Sequence, residues 1–242
     1  MNAARGVMWL VLAQLASGAA LAQGARGAQR AQGAQGAPGA QRSAESGAIA
    51  PCVSCHGDRG EGNVATGVPR LAGLPAGYLA RQLAAYAQGT RVNAIMSPIA
   101  RELTPAQRSA AATSFAGRAG PWSAPLEHAG ASAARRAALL LFRGDEAAGV
   151  QACVNCHGPG ASGEPPHLPY LTGQPRSYLA TALGEWRSGG RRTDPSGQMN
   201  AIATRLSEAD VAALSAWLSD QPPPDPAQWL ATRPATPLAS RR

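Results

Sequence analysis

Cys52-Val53-Ser54-Cys55-His56 is repeated as Cys153-Val154-Asn155-Cys156-His157, and these two segments hold all four cysteines of the 242-residue chain. Two thiols separated by two residues suit addition to the two vinyl groups of a haem, and the histidine that follows directly reaches the iron as an axial ligand. The pattern predicts two covalently bound haem c groups. One is carried by Cys52 and Cys55 with His56 on its iron, the other by Cys153 and Cys156 with His157. Two other readings of paired cysteines fit less well. A redox-active disulfide motif is not normally followed by histidine and duplicated. A zinc finger does not place its histidine directly after the second cysteine.

Outward from these motifs the chain repeats itself. Pro69-Arg70-Leu71-Ala72-Gly73 faces Pro169-Tyr170-Leu171-Thr172-Gly173. Pro75, Tyr78, Leu79, Ala80 and Leu83 recur as Pro175, Tyr178, Leu179, Ala180 and Leu183. Met96-Ser97-Pro98-Ile99-Ala100 faces Met199-Asn200-Ala201-Ile202-Ala203. The offset drifts from 101 at the cysteines through 100 to 103 at the methionines, as small loop insertions would produce. The order of the matches predicts two domains of one fold, residues 47–118 and 132–220, joined by a Pro- and Gly-containing linker at 119–131.

Tyr78, Leu79, Leu83 and Tyr86 lie at helical spacing, as do Tyr178, Leu179, Leu183 and Trp186, and Gly89 and Gly189 follow as stop signals. Thr104-Pro105 reads as an N-cap with a first-turn proline. Ser207-Glu208-Ala209-Asp210 reads as a capping box ahead of Val211, Leu214, Trp217 and Leu218. No alternating strand pattern stands out. The expected class is all-α.

The sixth iron ligand separates electron transfer from catalysis. Beyond the leader the chain has two methionines, Met96 and Met199, 40 and 42 residues after His56 and His157. Equivalent placement and the lack of a spare methionine mark them as axial ligands rather than core fillers. An iron held between His and Met has no open position for substrate. Of the other two histidines, His128 reads as a solvated linker residue. His167 lies close to the second motif but faces Gly67 in the first repeat, so it is the weaker candidate for a ligand.

Residues 1–22 read as an export signal: Arg5 opens it, Val7 to Ala16 form a short apolar core, and Ala20-Leu21-Ala22 is a small-x-small cleavage site. The core is shorter than the roughly 20 residues that a membrane span needs. The expected location is the periplasm, with at most peripheral membrane association. Residues 23–46 are low-complexity Ala, Gly, Gln and Arg with little to bury and read as disordered. Residues 221–242 read as a Pro-rich tail, with Trp229 as its one anchoring side chain. The formal charge of +8 comes entirely from arginine. These arginines are scattered and aromatics are sparse, which argues against nucleic acid. A basic surface instead favours docking to an acidic redox partner.

Taken together, Cys-X-X-Cys-His-Gly, Pro-X-Leu-X-Gly, Tyr-Leu with a following Leu, Gly-X-Arg (Gly89-Thr90-Arg91 and Gly189-Gly190-Arg191) and Met-X-X-Ile-Ala resemble the dihaem class I cytochromes c of the c4 type. The resemblance covers residues 47–118 and 132–220. It implies His56 and Met96 on one iron and His157 and Met199 on the other. It also implies approximate two-fold symmetry, with haem propionates near the interface where Arg91 and Arg191 would meet them. The activity it implies is one-electron transfer from a quinol-oxidising complex or a dehydrogenase to a terminal oxidase or reductase. A dedicated cytochrome subunit of a dehydrogenase is a close variant. A dihaem peroxidase or thiosulfate dehydrogenase is the enzymatic rival, set against by the absence of an open iron or a spare cysteine. One departure stands out. Ala134 to Phe142 forms an apolar helix ahead of the second motif, whereas residues 37–51 contain one large apolar side chain, Ile49. The first domain is expected to lack its N-terminal helix.

Overall fold

The computed structural model describes residues 49–125 and 127–225. The leader, the low-complexity segment and Trp229 lie outside them. The described chain is helical, and its only strand-like pairings are isolated bridges.

The first half opens with α1, residues 49–56, which runs straight through the first cysteine motif. It is followed by α2 (Ala76–Gln88), α3 (Met96–Glu102) and α4 (Pro105–Ala116). The second half comprises α5 (Ala131–Phe142), α6 (Val154–His157), a 3-10 turn (Pro159–Ala161), α7 (Arg176–Arg187), α8 (Gln198–Ala203) and α9 (Glu208–Asp220). Thus α2, α3 and α4 correspond to α7, α8 and α9, in the order that the repeat predicts.

The helix ends follow local chemistry. Gly89 stops α2 in the left-handed region at φ 77°, a conformation that costs a residue with a Cβ about 1–2 kcal/mol. Thr104 and Gln107 form a reciprocal capping box at α4, with Pro105 in its first turn. Ser207 and Asp210 do the same at α9, and Glu208 adds a second acid where the helix dipole favours one.

Each half has its own core. In the first, α2 packs on α3 and α4, gathering Leu74, Tyr78, Leu79, Ala112 and Phe115, with Ile49 and Val53 of α1 against them. In the second, α9 packs on α5 and α7. Leu140 and Leu141 of α5 are fully buried there among Leu179, Val211 and Leu214. Each buried leucine contributes about 1.5–3 kcal/mol. Residues 49–51 are helical and continue into the motif, with Ile49 packed against the core, so α1 is the counterpart of α6; the place of the N-terminal helix expected to be missing lies outside the described residues. Residues 37–48 lie outside the described part.

The halves are joined by specific polar contacts. The Arg70 backbone is paired with the Gln174 amide, and the buried Tyr170 hydroxyl donates to the Ala72 carbonyl at 2.7 Å. Arg91 and Arg191 form an antiparallel bridge, and the Arg192 N–H donates to the Thr90 carbonyl at 2.9 Å. The connecting segment is held by Arg70, whose guanidinium donates to the carbonyls of Gly120 and Pro121 at 2.7 and 2.6 Å. Beyond α9, Pro223 lies so close to Gly173 that a Cβ there would sit 2.6 Å from its ring.

Candidate haem sites

Both motif histidines are buried and held in the same way. His56 is 5% exposed and its Nδ1 lies 2.8 Å from the Pro69 carbonyl; His157 is 7% exposed and its Nδ1 lies 2.8 Å from the Pro169 carbonyl. A carbonyl only accepts, so Nδ1 carries the proton and Nε2 keeps its lone pair for a metal. Burial lowers the pKa of each imidazole, outweighing the opposing effect of the carbonyl bond. Each histidine is therefore neutral at physiological pH, the form that binds iron. The Pro69 and Pro169 carbonyls are thus the partners that set tautomer and ring orientation.

Glycine permits this approach. Gly62 donates to the His56 carbonyl at 2.8 Å and Gly163 to the His157 carbonyl at 2.6 Å. A Cβ on Gly62 would lie 2.7 Å from the Arg70 nitrogen, and one on Gly163 would lie 2.6 Å from the Tyr170 nitrogen. Each motif is thus locked backbone-to-backbone against the segment that supplies its proline.

In the first half, Cys52, Cys55, His56 and Met96 all border one cavity of about 410 Å³. Its wall is mainly apolar, with Leu79, Ile99 and Phe115, while Glu185 and Tyr178 reach in from the second half. In the second half, Cys156 Sγ lies 3.9 Å from Gln198 Oε1, next in sequence to Met199, so the motif and the methionine segment adjoin. Cys153 lies by the core, its Sγ donating to the Leu140 carbonyl at 3.5 Å. Burial pushes the Cys153 thiol up to about 11 and raises that of Cys52. Thiols of this kind are poor thiolate nucleophiles, which sets aside a thioredoxin-like role. Among the described residues no three His, Cys, Asp or Glu side chains cluster as a zinc site would require.

The methionines are fixed by a residue that the motifs did not single out. Asn93 Oδ1 accepts from the N–H groups of Ile95 and Met96 at 3.0 and 2.9 Å. Asp194 takes the same part in the second half, accepting from the Met199 N–H at 2.8 Å and from Ser196 through its N–H and hydroxyl. His128 is exposed, 3.3 Å from Asp220. The His167 carbonyl accepts from Arg81, and its ring lies near Gly77 of α2.

Arg91 and Arg191 are only 3% and 4% exposed. Arg91 pairs with Glu185 at 2.8 Å and donates to Gln82 Oε1. Arg191 donates to the Tyr78 hydroxyl and to the same Gln82 oxygen, both at 2.9 Å, and to Thr193. Sequence reasoning marked the arginines, and Tyr78 as a repeat residue, but not Glu185 or Gln82, which carry no motif.

An apolar cavity bordered by two thiols, a neutral histidine with a free Nε2 and a methionine fits a covalently held haem, and the second half repeats the cysteine pair, the histidine held by a proline carbonyl and the adjoining methionine segment. This is the architecture of a c-type cytochrome with two haem-carrying halves. The chain belongs to the cytochrome c family, which it matches over residues 24–114 and 143–222, and within it to the dihaem class I proteins of c4 type. It is 43% identical over 173 residues to the thiosulfate dehydrogenase electron acceptor of Thiomonas intermedia, covering 72% of this chain and 79% of that one. Cytochrome c4 of Azotobacter vinelandii is 32% identical over 183 residues, 73% and 87% of the two chains. Among solved structures, cytochrome c4 of Pseudomonas stutzeri superposes with a TM-score of 0.67 at 28% identity, over 74% of this chain and 97% of that one. The thiosulfate dehydrogenase TsdBA of Marichromatium purpuratum gives 0.64 at 38% identity over 71% of this chain, which spans only 36% of that protein. The protein accordingly consists of two tandem cytochrome c domains, binds two haem c groups covalently, and is an electron-transfer cytochrome.

Proposed function

We propose that the protein is a periplasmic dihaem electron acceptor that takes single electrons from a dehydrogenase of the thiosulfate-oxidising kind and passes them to a respiratory partner such as a membrane-bound oxidase. Cys52 and Cys55, and Cys153 and Cys156, attach the haems. His56 with Met96, and His157 with Met199, ligate the irons. The chain catalyses no bond change in a substrate. The haems supply reversible one-electron chemistry; the polypeptide orients the ligands, excludes water and links the two centres.

The observation that carries the reading is the matched pair of buried histidines, each with Nδ1 given to a proline carbonyl and Nε2 free. The identity to the Thiomonas intermedia protein supports the choice of donor. Arg191 supports haem at the junction of the halves. Among the described residues this buried guanidinium has hydroxyl and amide partners but no carboxylate. Burying a cation without a counter-ion is costly, and haem propionates would supply one.

The test uses holoprotein matured with its haem-attachment machinery. Thiosulfate plus a thiosulfate dehydrogenase should reduce two haems per chain, and thiosulfate alone should reduce neither. Reduction by thiosulfate without the enzyme would make the chain an oxidant of the substrate and end the carrier reading. Near-infrared spectra should show methionine-to-iron charge transfer, with Met96→His and Met199→His each lowering the potential of one haem.

A further inference from the structure

The two methionine segments differ at the residue that holds them. Asn93 and Asp194 stand 101 positions apart, the offset of the haem motifs themselves. Each accepts a hydrogen bond from the N–H of its methionine, at 2.9 Å in the first half and 2.8 Å in the second. One is neutral and the other is a carboxylate. Asp194 gathers three donors on its two carboxylate oxygens, the Met199 N–H and the N–H and hydroxyl of Ser196. Among the described residues no cation forms an ion pair with it. The hydrogen-bond partners of this carboxylate are therefore dipoles, among them the backbone N–H of the methionine assigned above to the second iron.

We infer that Asn93 and Asp194 are positioning residues that set the potentials of their haems separately, with Asp194 lowering the second by its fixed negative charge. The inference rests on the methionine ligation proposed above. Oxidation adds a positive charge to the iron, and a nearby anion stabilises that state. Second-shell hydrogen bonding and local charge are established levers on haem potential when the axial ligands are the same. The neutral amide in the first half makes the same hydrogen bond without the charge. Two sites with one ligand set thereby acquire different potentials, and the half-reduced protein holds its electron unevenly.

The experiment is a reciprocal exchange in the holoprotein, with each haem titrated spectroelectrochemically and the near-infrared methionine band recorded alongside. Asp194→Asn should raise the second haem's potential and shift the electron distribution of the half-reduced state toward it, on the order of tenfold, or about 59 mV for a one-electron couple. Asn93→Asp should lower the first haem's potential by a similar factor and leave the second unchanged. Unchanged potentials with the band intact in both variants would overturn the inference and leave the ligation standing. A band missing from the unaltered protein would remove the ligation and the inference together. If Asp194→Asn alone loses its band, the Asn93→Asp result decides: a shift confined to the first haem sustains the inference, and none refutes it.

Discussion

Gln174 reads the backbone of Arg70 in both directions: its Oε1 accepts from the Arg70 N–H at 3.0 Å and its Nε2 donates to the Arg70 carbonyl at 2.9 Å. Both residues are buried, and they belong to opposite halves. The equivalent position in the first repeat is Leu74, which serves the core, so the contact is made once and breaks the two-fold symmetry. Gln174→Ala strands a buried donor and acceptor, at a cost of about 2–4 kcal/mol for the pair. Chemical unfolding of the holoprotein should show that loss with both haems still attached. A cost under about 0.5 kcal/mol would mean that the halves are held elsewhere.

Arg91 and Glu185 join the halves through an ion pair whose cation is buried and whose carboxylate is half-buried. Arg91→Met leaves the Glu185 carboxylate without its cation and should destabilise the protein by roughly 3 kcal/mol. Adding Glu185→Leu should recover much of that loss, because the stranded charge is then gone. Thermal unfolding of the two single variants and the double variant checks this. An additive double variant would show that the pair does not act as a unit.

Gly163 adopts φ +89°, and a Cβ there would meet the Tyr170 nitrogen at 2.6 Å. Gly163→Ala should cost at least about 2 kcal/mol, through left-handed strain and a forced shift of the backbone. That shift moves the Pro169 carbonyl away from His157. The second haem's potential should therefore change while the first haem's stays put, as redox titration of the variant would reveal. Equal changes at both haems would indicate a global loosening instead.

Asp210 is held at about 2, below its ordinary 3.8, first by the Arg136 hydrogen bond and then, against the opposing effect of burial, by Ser207. A carboxyl depressed by folding stabilises the native state fully above its unfolded pKa. That contribution is lost as pH falls from about 4 through 2. Its size is roughly 1–2 kcal/mol, reduced by solvent screening because the Arg136 side chain is 34% exposed. Denaturant titrations should show the wild type losing its advantage over Asp210→Asn within that window. A constant difference down to pH 2 would show that the group has another role.

The features legible in the chain were the local ones. Cysteine spacing, the histidine after it and the repeat offset belong to short stretches, and they led to haem attachment and to a duplicated helical fold. Capping boxes at Thr104 and Ser207 were readable for the same reason, since the groups that satisfy each other lie three residues apart. The start of α1 was not legible, because Ile49 alone in a polar stretch shows no periodicity; its packing depends on a core assembled from α2 and α4.

What sequence alone determined about this protein is therefore its covalent chemistry, its helical class and its duplication. Tertiary structure decided which residues meet across the duplication. Arg91 stood out as a partner for a propionate, yet it is Glu185, 94 positions away, that faces it. Gln174 and Leu74 occupy equivalent places with different tasks, and nothing in either neighbourhood announces the difference. Such pairings depend on how two folded bodies are docked, and the free energy of docking is spread over contacts with no common local pattern.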